Sequence, residues 1–234
     1  MKHALITGGA KRIGREIALH LARNGWDITI HYNSSEKEAT ALAEEIDKIG
    51  QKAWTISANF EEKDEVKSLF KRLSKEAPPV TALIHNASLF LYDKHDPEGT
   101  RHWQVNLLAP QTLTKKFVKQ LPRKEAGAVI YLLDNTTAKE LHLSKYHKSR
   151  QTLRQTIPSQ AKEYAPRVRI NAIALGPSLK GDKESAKHFK DMIKRTPLKR
   201  ASDPQAIEET VMFLLRAPST TGAVIPVDSG FHLT

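Results

Sequence analysis

Short apolar runs alternate along the chain with longer segments in which apolar positions recur every three to four residues. Runs of the first kind read as strands buried on both faces, and segments of the second kind as amphipathic helices laid over them. The strands expected are His3–Thr7, Asp27–His31, Lys52–Ser57, Val80–His85, Ala128–Leu133, Arg167–Ala174 and Ala223–Val227. The helices expected between them are Arg12–Asn24, Glu36–Ile49, Lys63–Lys75, Arg101–Leu121, Lys145–Tyr164 and Pro204–Leu215. The run Ala128-Val129-Ile130-Tyr131-Leu132-Leu133 is apolar throughout, which a strand with one wet face would not be. This alternation predicts an α/β fold: a doubly wound parallel sheet of seven strands with helices on both faces, in a single domain over residues 1–234. Tyr92–Thr100 and Gly176–Lys183 read as loops, the second leading into a charged helix before Thr196-Pro197. No repeat, low-complexity tract or linker divides the pattern.

Composition narrows the chemistry. The chain of 234 residues is long enough to bury a sheet under two helical layers, and 39% hydrophobic with 27% charged residues fits a globular protein. No run is long enough to span a bilayer, and the first residues lack the apolar stretch of a signal peptide, so no membrane partner and a cytoplasmic location are expected. The absence of cysteine excludes thiolate catalysis and cysteine-ligated zinc. Ten histidines show no HExxH-like pair, and no metal is expected. The net charge of +11 is spread over solvated helix faces rather than gathered in one stripe. It suits an anionic cofactor and a small-molecule substrate better than a nucleic acid.

The first expected strand ends in Thr7-Gly8-Gly9-Ala10-Lys11-Arg12-Ile13-Gly14 and passes directly into the first helix. Glycines at such a turn let the backbone close on a pyrophosphate, whose charge meets amides at the helix N-terminus. Its place in the first βαβ unit points to a dinucleotide. After the second strand, a carboxylate would grip the ribose hydroxyls of NAD and repel a 2′-phosphate. The chain has His31-Tyr32-Asn33-Ser34-Ser35 there, with no acid, and Lys11 and Arg12 add positive charge beside the turn. That balance favours NADP(H). Asn33-Ser34-Ser35 also fits a cap on the next helix, with Ser35 three residues before Glu38 as in a capping box.

Together with this turn, Asn86-Ala87-Ser88, Val105-Asn106-Leu107-Leu108-Ala109-Pro110, Arg169 to Pro177 and Thr221 to Gly230 follow in an order that resembles the short-chain dehydrogenase/reductase family over nearly the whole chain. The resemblance implies a Rossmann-type domain. It implies cofactor contacts at Gly8, Lys11, Arg12, Ile13 and Gly14, at His31, Tyr32, Asn33 and Ser34, at Ala58, Asn59 and Phe60, at Asn86, Ala87 and Ser88, and at Gly176 and Ser178. It further implies a proton-donating tyrosine, a cation four residues later that favours the tyrosinate, and a polar group at the preceding strand end. Counted back from Ala161-Lys162-Glu163-Tyr164-Ala165-Pro166, the tyrosine is Tyr146 and the cation is Arg150, where the family has lysine. Arginine keeps its charge and can bond ribose hydroxyls, but with a pKa above about 12 it cannot pass protons. Lys148, two residues along the helix, points away. Asn106 is implied to help hold a water chain.

Asp134 stands where most of the family has serine, as in the pteridine reductases and related dihydropterin reductases. Arg12, His31-Tyr32 and Asn86-Ala87-Ser88-Leu89-Phe90 match the same subgroup. The resemblance implies that Phe90 stacks on a pterin opposite the nicotinamide, that Ser88 bonds the pterin, and that Arg12 lies between cofactor phosphates and substrate. Tyr146 and Asp134 would deliver the proton. From the residues alone, Phe90 also fits plain core, Asp134 a cap after its strand, and Asn106 a group satisfying its own helix. The expected function is NADPH-dependent reduction of a dihydropterin-like heterocycle, in a homotetramer packed through Arg101–Leu121 and Lys145–Tyr164. Two other functions stay open: a carbonyl reductase of the same fold acting on a 3-oxoacyl thioester or small ketone, and a non-catalytic NADP(H)-binding regulatory protein, suggested by Arg150. Asn59, Leu175 and Ser229 also depart from the family pattern, in place of an acid, a proline and a glycine.

Overall fold

The computed structural model describes residues 2–135, 143–180 and 185–234. Seven strands, β1 His3–Thr7, β2 Asp27–Tyr32, β3 Ala53–Ser57, β4 Ala82–His85, β5 Gly127–Asp134, β6 Val168–Leu175 and β7 Val224–Val227, form one sheet in the order β3-β2-β1-β4-β5-β6-β7. Every pairing is parallel. The winding reverses between β1 and β4, which leaves a crevice beyond their carboxyl ends, the place where this architecture binds ligands.

Alternate residues of a strand face opposite layers, and both layers are apolar. Val129, Tyr131 and Leu133 of β5 pack with Leu69 and Phe70 of α3 (Lys63–Leu73), Leu113 and Phe117 of α5 (Ala109–Gln120), and Leu153 and Ile157 of α6 (Ser144–Tyr164). Ile130 and Leu132 of the same strand pack with Ile17 and Leu21 of α1 (Arg12–Arg23), Leu42 and Ile46 of α2 (Glu36–Ile49), and Ile207, Val211 and Leu214 of α8 (Pro204–Arg216). Each such side chain contributes about 1.5–3 kcal/mol on burial.

The expected elements recur, with ends moved by about two residues or fewer. One shift matters to the site: β5 and β6 each run one residue further, so Asp134 is the last residue of β5 and pairs with Leu175. The charged helix before Thr196 is α7 (Ala186–Arg195), which buries none of its residues. The loop expected over Gly176–Lys183 ends in residues 181–183, outside the described residues.

The expected helix Arg101–Leu121 is helical from Thr100 to Gln120 but not α-helical throughout. It consists of α4 (Thr100–Trp103), a π turn over Gln104–Leu108, and α5. Pro110 supplies the reason. It has no N–H to give the carbonyl of Asn106 four residues earlier, and its ring would clash with that carbonyl in a regular helix. The wider π turn relieves the conflict at the residue that the site uses.

Candidate active site

The ends of β1 and β4 are fastened to each other. The hydroxyl of Thr7 accepts the backbone N–H groups of Asn86 and Ala87, each at 3.0 Å. In return, Asn86 Nδ2 donates to the carbonyls of Thr7 at 3.0 Å and Gly8 at 2.8 Å. Gly8 has a φ of +60°, and a Cβ on it would lie 3.1 Å from Cα of Ala87. A Cβ on Gly14 would lie 2.5 Å from the Gly8 carbonyl oxygen. The turn therefore admits no side chain. α1 starts beside it with no acid in its first turn and no side-chain cap from Lys11, which suits its N–H groups to a phosphate.

Around the turn, Arg12 donates to the carbonyl of Leu179 at 2.6 Å, and Lys11 pairs with Glu38 at 2.5 Å. Glu38 is thus engaged outside its helix, and the capping box expected at Ser35 is not formed: Ser35 makes no side-chain cap bond. Asn33 and Ser34 are exposed at the end of β2, Tyr32 and Ile13 half-buried beside them. Asn59 is engaged locally, accepting the N–H of Glu61 at 3.0 Å. Ser178, after Gly176, is half-buried.

His31 is placed differently from the expectation of a cofactor contact. It is 2% exposed. Its Nδ1 accepts the N–H of Gly8 at 3.0 Å, its Nε2 donates to the carbonyl of Ala58 at 3.0 Å, and its ring stacks on Phe60 at 4.1 Å. Burial holds it neutral, with its pKa lowered to about 4. Both nitrogens being used, His31 braces the glycine turn from behind and has no donor left for a phosphate. Phe60 and Ala58 are buried with it, so their side chains serve the same bracing.

β5 and the start of α6 bring the next group together. The hydroxyl of Tyr146 donates to Oδ2 of Asp134. Arg150, one turn along α6, sets its Nε 3.5 Å from the same oxygen and donates to the carbonyl of Leu132. Tyr146 and Arg150 are buried, whereas the side chain of Asp134 is 31% exposed. Asp134 accordingly does not cap its strand. Underneath, His85 stacks on Tyr131 at 4.6 Å and shares a 3.0 Å hydrogen bond with Thr114. Burial, with the charge of Arg150 second, lowers its pKa to about 3.

The segment after β4 is stitched to the helices at several points. Asn106, in the π turn, accepts the N–H of Leu89 at 2.7 Å and the hydroxyl of Ser88 at 3.3 Å. It donates to the Leu89 carbonyl at 2.9 Å and to Ser149 at 3.2 Å. Its partners thus lie outside its own helix. His102 accepts the Leu91 N–H at 3.3 Å and faces Asp96 at 2.6 Å. Asp93 accepts the backbone N–H groups of Ser144 and Lys145, each at 3.1 Å, at the start of α6. Burial opposes the charge of Asp93, but the bonds from Ser144 and Lys145 outweigh it and hold the carboxyl below its usual range. Phe90 projects from this segment 54% exposed, so it is not core, and its ring stands 4.9 Å from that of Tyr146.

A second tie secures the far side of β5. Asn135 donates to Asp228 at 2.8 Å and accepts from Arg154 at 2.9 Å, while Asp228 also bonds His232 at 2.8 Å. The bracing residues Asp93, His102, Asn135 and Asp228 escape sequence reasoning because their partners are loop or strand-end groups. Asp93 and Ser144, for example, are 51 residues apart. Among the described residues no group of three or more histidine or acidic side chains is placed to hold a metal ion, and no helix is long and apolar enough to cross a membrane.

A family model described as enoyl-(acyl carrier protein) reductase matches residues 8–232. A 3-oxoacyl-(acyl-carrier-protein) reductase of Staphylococcus epidermidis is 31% identical over 243 residues, covering 99% of each chain. A dihydromonapterin reductase of Escherichia coli is 26% identical over 237 residues, covering 98% of this chain and 96% of its own. Among solved structures, the FolM alternative dihydrofolate reductase 1 of Brucella canis, complexed with NADP, superposes with a TM-score of 0.93 at 34% identity, covering all of this chain and 94% of that one.

Proposed function

Since the chain belongs to the short-chain dehydrogenase/reductase family and is an NADP-dependent oxidoreductase of that fold, we propose that it reduces the C=N bond of a dihydropterin-like heterocycle. The observation that carries this is the pairing of Tyr146 with Asp134. A carbonyl reductase needs only a neutral hydrogen-bond donor at the strand end. Here a carboxylate takes that place, within reach of solvent on one side and of the phenol on the other.

NADPH supplies the hydride when bound. The glycine turn, with the N-terminus of α1 behind it, holds phosphate, and Asn33, Ser34, Lys11 and Arg12 suit a 2′-phosphate. Gly176 and Ser178 flank the nicotinamide end in this reading. Phe90 gives a flat ring its stacking face, with Ser88 and Arg12 beside it, and so fixes the distance for hydride transfer. Tyr146 donates the proton and is resupplied through Asp134 from water. Arg150 keeps a positive charge beside that pair and orients it, with no part in moving protons. Asn106 holds the Phe90 segment against α6.

The dihydromonapterin reductase and the FolM structure support this reading. The 3-oxoacyl-(acyl-carrier-protein) reductases, among the most similar curated relatives, favour the carbonyl alternative. A cytoplasmic homotetramer assembled through the faces of α5 and α6 belongs to the same proposal, on the family resemblance. The test is an NADPH-oxidation assay over dihydropterins, dihydrofolate, quinones and oxoacyl thioesters, repeated with Phe90→Ala. A dihydropterin is expected to be the best substrate, and Phe90→Ala to raise its KM about tenfold while NADPH affinity holds. Faster reduction of an oxoacyl thioester would favour the carbonyl reading, and NADPH binding without any turnover would favour a regulatory role.

A further inference from the structure

Resting on the reading of Phe90 and Tyr146 as two sides of one substrate site, we infer that His102 is a positioning residue for the reaction: held by Asp96, it fixes the backbone of Phe90 relative to the ring of Tyr146. Phe90 is 54% exposed, so its place depends on its neighbours along the chain. On one side, the N–H of Leu89 is bound by Asn106 at 2.7 Å. On the other, the N–H of Leu91 is bound by Nε2 of His102 at 3.3 Å. The same imidazole stands 6.0 Å from the ring of Tyr146, with the planes 68° apart. One buried ring therefore borders the proton donor and holds the segment that carries the stacking face.

The chemistry of the pair explains how one imidazole can do this. His102 is 0% exposed and Asp96 4%. Nδ1 of His102 lies 2.6 Å from Oδ2 of Asp96, which also accepts the N–H of His102 at 2.9 Å, while Oδ1 accepts that of Arg101 at 3.3 Å. Burial opposes the charge of Asp96, but the bonds from His102 and Arg101 outweigh it and hold the carboxyl below its usual range. A carboxylate that close needs a proton on Nδ1, and the bond from Leu91 needs a lone pair on Nε2. Only the neutral Nδ1–H tautomer satisfies both. Each nitrogen then has one partner, and a ring flip would lose both. A buried carboxylate beside an imidazole is a costlier filling than two apolar side chains of the same volume. What the pair supplies is direction, carried from α4 to Leu91 and so to Phe90.

The test compares two nearly isosteric replacements. His102→Gln keeps an amide that can donate to Asp96 and accept from Leu91, whereas Asp96→Asn/His102→Met removes both bonds without leaving a buried charge. NMR on the NADP+-loaded protein reads the exchange rate of the Leu91 amide and the proton contact between the rings of Phe90 and Tyr146, whose centroids are 4.9 Å apart. KM for dihydrobiopterin and Kd for NADPH are measured alongside. In the double variant, Leu91 exchange and KM are each expected to rise about tenfold and the ring contact to vanish, with NADPH affinity held within about twofold. His102→Gln should stay near the native values. Should the double variant not fold, His102→Met alone, in which Asp96 keeps both backbone bonds, carries the same comparison. A lowered Tm with KM, Leu91 exchange and ring contact all as in the native protein would make the pair merely structural and overturn the inference. No turnover of dihydrobiopterin by the native protein would instead overturn the pterin reading, and the exchange and ring-contact measurements would still decide the role of His102.

Discussion

At the scale of single residues, the departure from the family pattern at Arg150 stands beside a second one, at Asp134. A lysine there would be able to carry protons away from the tyrosine, and arginine cannot. Asp134, in contact with Tyr146 and partly open to water, is the proton route proposed instead. Tyr146→Phe is expected to lower kcat by about 10²–10⁴, the usual worth of a positioned acid. Asp134→Asn should cost about 10²-fold or more for the same reason, while Arg150→Lys should keep kcat within about tenfold, since a positive charge remains beside the pair. Single-turnover NADPH oxidation with a dihydropterin checks all three. A loss for Arg150→Lys as large as that for Tyr146→Phe would make the guanidinium indispensable and the solvent route wrong. The place of Tyr146 beside Asp134 was legible, because Tyr146 stands at a fixed distance before Ala161. His31 was misread, because its type and place fit a ligand contact and only the packing of β1, β2 and Phe60 reveals that both nitrogens are already taken.

At the scale of elements, the π turn between α4 and α5 is the clearest feature that the apolar pattern does not register. The apolar spacing runs on without a fault, and periodicity alone cannot register a change from four-residue to five-residue turns. The cause was nevertheless written in the chain: Pro110 lies four residues after Asn106. Pro110→Ala restores an N–H that can reach the Asn106 carbonyl, so the turn is expected to close into regular helix. Removing a helix-interior proline is worth up to about 3 kcal/mol, and part of that should appear as a raised Tm. The same closure would rotate Asn106 off Leu89, loosening the Phe90 segment and lowering kcat. A rise in Tm by calorimetry with kcat unchanged would show that the π turn has no catalytic purpose. The stitching of the segment after β4 was not legible at all, since it depends on loop backbone meeting helix ends far away in sequence.

At the scale of the whole molecule, the sheet and both helical layers could be read from hydrophobic pattern, because strands buried on two faces leave an unbroken apolar signature. The same burial fixes how stability responds to acid. His3, His31 and His85 lie inside the protein and burial lowers the pKa of each below 6.5, to about 4 for His31 and about 3 for His85. In the unfolded chain they protonate near 6.5, so between that value and about 4 the unfolded state binds more protons and stability falls as pH falls. Tm measured from pH 7 down to about 4.5 should decline throughout, and His31→Gln should make the decline shallower if the variant folds. A Tm constant from pH 6.5 to 5 would contradict the assignment of these groups as neutral.

The division of the core by the sheet reaches beyond stability. α1, which stands behind the glycine turn, rests on one half with α2 and α8, whereas α5 and α6, which carry or support Asn106, Tyr146 and Arg150, rest on the other. The halves are not insulated, however: Phe60 and Ala58, which brace the glycine turn through His31, belong to the half under α5 and α6. A change at Phe60 is therefore expected to reach the glycine turn from the half that also carries Tyr146 and Arg150, so that the nucleotide side and the substrate side do not vary independently.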